Sequence, residues 1–412
     1  MEIFFKMVYY FLEVNVMKAL KITALILCTV LLFSACAKQD EPTVKLETEN
    51  WNTNYKYVFV HGLSGWGSYD DQYKYMPYWG MLGGDLLDYL NGKGFACYAA
   101  SVDPKGSAWD RACELYAQLT GNVVDYGKEH SERCNHERFG TDYSENPLIE
   151  NWNAENKINF LGHSFGGATI RLLSELMANG SEAECAATDE SELSELFTGG
   201  KADWIYSITA LAAPHNGTTA YNVGTLEDYE LEIESSDIKD QIHDILSDLV
   251  SSVTDGEEDG RILSDYAAHD MYIDNALELN DRISTLENAY YFSFPCSSSL
   301  QAADGTYYPD ESITESLFVK SAKSMGKYTG VTEKGFVIDE SWQENDGLVN
   351  VISAKAPIGA PQRIYGAGNV QKGEWNIMPT YTGDHMSIQG GLFKKNDVKE
   401  FYIEHLNMIN SL

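Results

Sequence analysis

Gly162-His163-Ser164-Phe165-Gly166 is the only Gly-x-Ser-x-Gly in the chain. An apolar run, Lys157 to Leu161, leads into it, and an amphipathic run, Ser164 to Met177, leaves it. A strand that turns sharply into a helix with serine at the bend presents a hydroxyl at a helix N-terminus, beside backbone N–H groups that can stabilise an oxyanion. A serine hydroxyl attacks only when a base takes its proton, and the base needs an acid to orient it. In this kind of fold the chain order is serine, acid, histidine. Asp346, before Gly347, and His385, in Asp384-His385, complete that order. Asp339 or Glu344 for the acid and His405 for the base remain open; His405 lies on the closing helix and reads as a surface residue. The second oxyanion donor belongs on the loop after the first strand, where His61-Gly62-Leu63 follows Tyr57-Val58-Phe59-Val60. The Leu63 and Phe165 N–H groups are expected to share one target.

These residues need a scaffold. Strands are predicted at Tyr57–Val60, Phe95–Val102, Lys157–Leu161, Trp204–Leu211 and Tyr290–Phe294. Helices are predicted at Trp79–Leu90, Trp109–Val124, Ser164–Met177 and Phe401–Ile409. Alternating strands and helices imply an α/β domain with a mostly parallel sheet covered on both faces. Two insertions break the rhythm, at 126–155 and 217–288. The first is polar and carries His130 and His136; the second is strongly acidic.

The 412 residues are 44% hydrophobic, which excludes a disordered chain. Lys plus Arg number 29 against 62 Asp plus Glu, a net charge of −33, which argues against a nucleic-acid partner. Lys18 and Lys21, the apolar run Ile22 to Phe33 and Ser34-Ala35-Cys36 describe an export signal over residues 1–36. Its end is lipobox-like, with Cys36 as the lipidated mature N-terminus. An ordinary cleaved signal or a single membrane anchor is the alternative. Met17 is the more natural start. Residues 37–55 read as a tether before a catalytic domain over 56–412. The anionic surface leaves the anchor as the one expected membrane contact. Cys97, Cys113, Cys134, Cys185 and Cys296 are an odd set at irregular spacing, read as mostly free and buried.

The chain resembles the zinc-containing bacterial lipases of thermophilic bacilli and staphylococci, of the α/β-hydrolase superfamily. The resemblance covers about residues 56–410. It rests on Val60-His61-Gly62-Leu63 with Gly65-Trp66-Gly67, on Tyr78-Trp79-Gly80, and on Trp109-Asp110-Arg111-Ala112-Cys113-Glu114. It continues through Tyr116 to Leu119, Val124 to Gly127, His136 to Gly140, the serine motif, Ala213 to Thr219, Glu344 to Gly347 and Asp384-His385. It implies Ser164, Asp346 and His385 as a triad, Leu63 and Phe165 as oxyanion residues, and an ester or lipid substrate. It also implies a structural zinc on two Asp and two His: Asp110, His130, His136 and, at the end of the acidic insertion, Asp270. Asp274 is a rival for the fourth place, and Cys134 could contribute sulfur. The family's calcium ligands fall at Ser387 and about Leu392, so no calcium is expected. No organic cofactor is implied, and the oligomeric state is not legible. The family's lid is apolar, whereas Leu226-Glu227-Asp228-Tyr229-Glu230-Leu231-Glu232 holds four carboxylates in six residues. A carboxylesterase acting on soluble or polyester substrates without interfacial activation is therefore the alternative to a lipase. An idle scaffold serving as a binding lipoprotein is a remote one.

Overall fold

The computed structural model describes Thr48, residues 50–224 and residues 260–412. The expected export signal with Cys36 and the acidic stretch Leu226–Glu232 lie outside the described residues.

Seven parallel strands form the central sheet: β1 (Lys56–Val60), β2 (Cys97–Ala100), β3 (Ile158–His163), β4 (Ile205–Leu211), β5 (Tyr290–Phe294), β6 (Gln362–Ile364) and β7 (Trp375–Ile377). Their spatial order is β6-β7-β5-β4-β3-β1-β2. The central strands are buried along their length, as expected of a parallel sheet covered on both sides. Strand alternation sorts side chains between two layers. Val58 and Val60 of β1 and Ile158 and Phe160 of β3 join the core under α2 (Ala108–Thr120) and α4 (Gly166–Asn179). Phe59 faces the other way, 4.9 Å from Trp79 and 5.8 Å from Tyr402 of α5 (Lys399–Asn410), ring centre to ring centre. The Tyr57 hydroxyl reaches Asn410 Oδ1 at 2.7 Å, so the closing helix is bonded to the first strand. Truncating a core ring such as Phe160 to alanine is expected to cost about 3–5 kcal/mol.

The predicted elements exist, with shifted limits. The helix expected over Trp79–Leu90 is a short 3-10 turn, Met81–Gly83, then α1 (Leu86–Lys93). Asp85 starts α1 because its carboxylate accepts from the Leu87 and Asp88 N–H groups. The helix of Trp109–Val124 ends at Thr120 because Gly121 takes a left-handed φ of 69°. Trp51 stacks on Phe95 with ring centres 5.0 Å apart and donates to Asn407, so ordered packing begins within the stretch read as a tether. The five cysteines are free; Cys185 is exposed and the other four are buried.

Candidate active site and metal centre

β3 ends at His163 and α4 begins at Gly166. Between them Ser164 holds φ at 54°, a region that non-glycine residues enter at a cost of about 1–3 kcal/mol. A side chain at Gly162 would meet the Gly166 carbonyl carbon at 2.5 Å, and one at Gly166 would meet the Val60 oxygen at 2.3 Å. The two flanking glycines are therefore required by close approach.

The loop after β1 lies against this bend. A first side-chain carbon on Gly62 would stand 2.7 Å from Ser164 Cβ and 3.3 Å from its Oγ. Among the described residues, no backbone carbonyl accepts from the Leu63 or Phe165 N–H.

Asp346 and His385 meet. His385 Nδ1 lies 2.9 Å from Asp346 Oδ2, and both side chains are buried. The His385 N–H also donates to the Asp346 carbonyl at 2.9 Å. Asp346 Oδ1 accepts from the Leu348 and Val349 N–H groups at 3.0 and 2.7 Å, which fixes the carboxylate and leaves Oδ2 for the imidazole. A histidine that donates from Nδ1 keeps Nε2 free to take a proton. The rival Asp339 is engaged elsewhere: its carboxylate caps a short turn at Ser341.

His163 joins the serine bend to this pair. Its Nε2–H donates to the His385 carbonyl at 2.9 Å, and its ring lies 4.9 Å from that of His385. Nδ1 then accepts from the Tyr78 hydroxyl at 2.6 Å, and Tyr78 in turn accepts from the Gly62 N–H at 3.2 Å. Burial and the neighbouring His385 hold the His163 pKa well below the usual value, so this link stays neutral.

His405 is a correction. It is buried under the sheet, not on the surface, with its ring edge-on to Phe292 and Phe294 and Nε2 2.8 Å from Thr209 Oγ1. Burial pushes its pKa down to about 3.

A second cluster lies at the start of α2. Asp110, His130, His136 and Asp265 each offer a ligand atom, all within 4.8 Å of one another. His130 sits on α3 (Lys128–Cys134), and its ring is stacked on Trp109. Glu184 caps α3 by accepting from the Glu129 and His130 N–H groups at 3.0 and 2.8 Å. Gly127 is needed there, because a side chain would collide with the Glu184 carboxylate at 2.3 Å.

The fourth corner is Asp265, not Asp270. Asp270 Oδ2 accepts from the Ala108 N–H at 2.8 Å and so caps α2 from outside the cluster. Asp274 binds Thr332 and the Lys334 N–H instead. Cys134 is 3.8 Å from His130 Nδ1, the nitrogen turned away from the carboxylates. No local pattern separates Asp265 from Asp270 in the sequence; the choice is made by which carboxylate the chain folds onto Ser107, whose hydroxyl donates to Asp265 Oδ1 at 2.9 Å. Glu184 was likewise invisible, since it caps a helix 54 residues away.

Two observations fit this group to a cation. His136 Nε2 and Asp265 Oδ2 are buried 3.4 Å apart, facing each other without a hydrogen bond to any group, whereas buried polar atoms are almost always hydrogen-bonded. Burial works against charge on His130, yet hydrogen bonds to Asp110 and Asp265 drive its pKa up to about 11. Two carboxylates here demand positive charge between them. Imidazole and carboxylate donors in a closed set of four suit zinc.

Ser387 and Leu392, where the resemblance implies the calcium ligands would fall, have partners of their own. Ser387 Oγ donates to Asp384 Oδ1 at 2.7 Å, and Leu392 is buried. The segment is pinned instead by Glu315, which accepts from the Phe393 and Lys394 N–H groups at 2.7 and 2.5 Å. The Lys394 ammonium donates to the Glu311 and Thr314 carbonyls at 2.9 and 2.6 Å.

A parallel sheet between helical layers, with a strained serine at one strand end and a buried Asp–His pair beside it, has the α/β-hydrolase architecture. The family model described as "Lipase-like, C-terminal domain" matches residues 53–230 and 259–409, and the chain belongs to that family. The lipase of Staphylococcus hyicus is 31% identical over 92% of this chain and 61% of its own length. The chain thus spans about three fifths of that curated relative. The structure of EstA from Clostridium botulinum superposes with a TM-score of 0.74 at 32% identity, covering 88% of each chain. The crystal structure of the S. hyicus lipase gives 0.70 at 27% identity, covering 88% of this chain and 98% of that one.

Proposed function

We propose that the chain is a serine ester hydrolase of lipase type. The observation that carries this reading is the buried Asp346–His385 contact of 2.9 Å beside a loop and a serine bend that nearly touch. His385 Nε2 takes the Ser164 proton as Oγ attacks the ester carbonyl. Asp346 holds the tautomer and stabilises the imidazolium. The oxyanion lies on the Leu63 and Phe165 amides. His385 then returns the proton to the departing alcohol. Water, activated by the same imidazole, releases the acid from the acyl-enzyme.

Asp110, His130, His136 and Asp265 would hold a zinc ion. Its contribution would be structural, tying α2 and α3 to the segment that carries Asp265. No calcium or organic cofactor enters the reading. The chain is proposed to act outside the cytoplasm, carried there by residues 1–36 and held by a lipid on Cys36. No helix of the described residues is long and apolar enough to cross a membrane. Incorporation of labelled palmitate that is lost in Cys36→Ala supports the anchor; equal labelling of both removes it.

The Ser164→Ala variant should lose p-nitrophenyl butyrate hydrolysis by about four orders of magnitude or more. Full activity in that variant overturns the assignment. The acidic sequence Leu226–Glu232 favours a second reading, a carboxylesterase that does not act on emulsions. Rates on tributyrin and triolein above and below their solubility limits separate the two. A jump at the solubility limit marks a lipase, and saturation below it a carboxylesterase.

A further inference from the structure

Arg111 is completely buried. Its guanidinium touches no carboxylate within hydrogen-bond distance among the described residues. It donates to four uncharged oxygens: His61 O, Gly62 O at 3.3 Å, Asp103 O at 3.2 Å and Thr169 Oγ1 at 3.0 Å. One face lies over the Phe165 ring, 5.2 Å from its centre. A guanidinium keeps its proton in proteins, so the buried group is a cation. A cation kept dry and hydrogen-bonded only to neutral oxygens is a poor device for stability, since desolvation opposes it. Its partners suggest another use.

We propose that Arg111 is the positioning residue of the oxyanion hole, holding both donor segments in register; this rests on the ester-hydrolase reading above. The Gly62 carbonyl and the Leu63 N–H belong to one planar trans peptide, so fixing the oxygen fixes the opposite direction of the N–H. Three donors fix that oxygen: Arg111 Nη1, His61 Nδ1 at 2.8 Å and the Gly65 N–H at 3.2 Å. His61 acts as a neutral donor, because its Nε2 accepts from the Val102 N–H at 3.2 Å and burial pushes its pKa down to about 3. A cation bonded to the carbonyl end of a peptide also polarises the amide, making its N–H a stronger donor.

The other donor segment is bound as well. Phe165 packs under the guanidinium, and Thr169 links the two by accepting from Arg111 Nε and donating to the Phe165 carbonyl at 3.3 Å. Arg111 is itself rooted in an anchored turn. Ser107 bonds Asp265 and Ala108 bonds Asp270, one turn ahead of it on α2.

The test uses the full chain, with turnover normalised to active sites titrated by a fluorophosphonate. Arg111→Met should lower kcat on p-nitrophenyl butyrate by about 10- to 100-fold with KM within about threefold, since the loss falls on the transition state. The inhibition constant of an alkyl trifluoromethyl ketone, which forms the tetrahedral adduct, should rise by the same factor. Arg111→Lys keeps the charge without the fork and should recover part of both. Thr169→Val, which removes one partner of the guanidinium, should lower kcat by about 3- to 10-fold and serves where Arg111→Met does not fold. Unchanged kcat per titrated site and unchanged ketone inhibition in these variants, with only the melting temperature lowered, overturn the proposal. A wild-type chain that neither titrates nor turns over esters overturns the ester-hydrolase reading, and this one with it.

Discussion

The two buried polar centres are built on opposite plans. Around the serine bend three side chains find partners within the protein: Asp346 with His385 and two amides, His163 with Tyr78 and a carbonyl, His61 with Gly62 and Val102. In the Asp/His cluster, two ligand atoms stay buried with no hydrogen-bond partner. A satisfied network holds its geometry without help, whereas an unsatisfied one is costly until something fills it. The supports of the first centre are thus fixed by the protein, while the Leu63 and Phe165 N–H groups are given no backbone acceptor, which suits chemistry. The second suits an ion, and the ion would stabilise the chain.

That contrast can be broken by substitution. Asp346→Asn should lower kcat by about 10⁴-fold through the wrong imidazole tautomer while leaving the melting temperature close to wild type. His130→Ala should do the reverse, lowering the melting temperature and leaving kcat per titrated site within about tenfold. If both variants lose activity and stability together, the two centres are not separate.

Removing metal comes next in size. A chelator should lower the melting temperature and added zinc should restore it. The linkage is worth about 4 kcal/mol at a thousandfold excess over Kd. A melting curve indifferent to both additions would leave the two unpartnered atoms unexplained.

A smaller effect sharpens the fourth ligand. Asp265→Asn should abolish zinc retention after desalting, measured by elemental analysis, while Asp270→Asn should keep the metal and lose about 1 kcal/mol as a weakened helix cap. The opposite pattern would return the fourth place to Asp270.

A further effect is a pH dependence. Asp384 is buried, and burial raises its pKa from 3.8 to about 6 despite hydrogen bonds from Ser387 and the Glu315 N–H. The folded chain therefore holds this proton more tightly than the unfolded one. Its stabilising contribution is full below about pH 4 and is lost as pH rises through about 6. Wild type should lose about 2 kcal/mol relative to Asp384→Asn over that interval in denaturant titrations. A pH-independent difference would place the proton elsewhere.

What the sequence could show follows the same division. The serine bend is local: a buried strand, two glycines and an amphipathic helix are adjacent in the chain, so Ser164 and the parallel sheet were legible. Tyr290–Phe294 and Trp204–Leu211 were legible because strands buried on both faces are mostly apolar and β-branched or aromatic, even with Ser293, Ser207 and Thr209 in them. The fourth metal position was not, because Asp265 and Asp270 differ only in what they face after folding. His405 was misread because an amphipathic helix on a covered sheet can bury a histidine against Phe292 and Phe294. Arg111 gave no signal, since its role is set by carbonyls about fifty residues earlier.

The central claim is that Ser164 Oγ is a nucleophile activated by His385. The direct measurement is fluorophosphonate labelling of the intact chain followed by peptide mass spectrometry. One adduct on Ser164, slowed by orders of magnitude in His385→Ala, is the predicted result. No adduct on Ser164, or labelling at the same rate in His385→Ala, would contradict it.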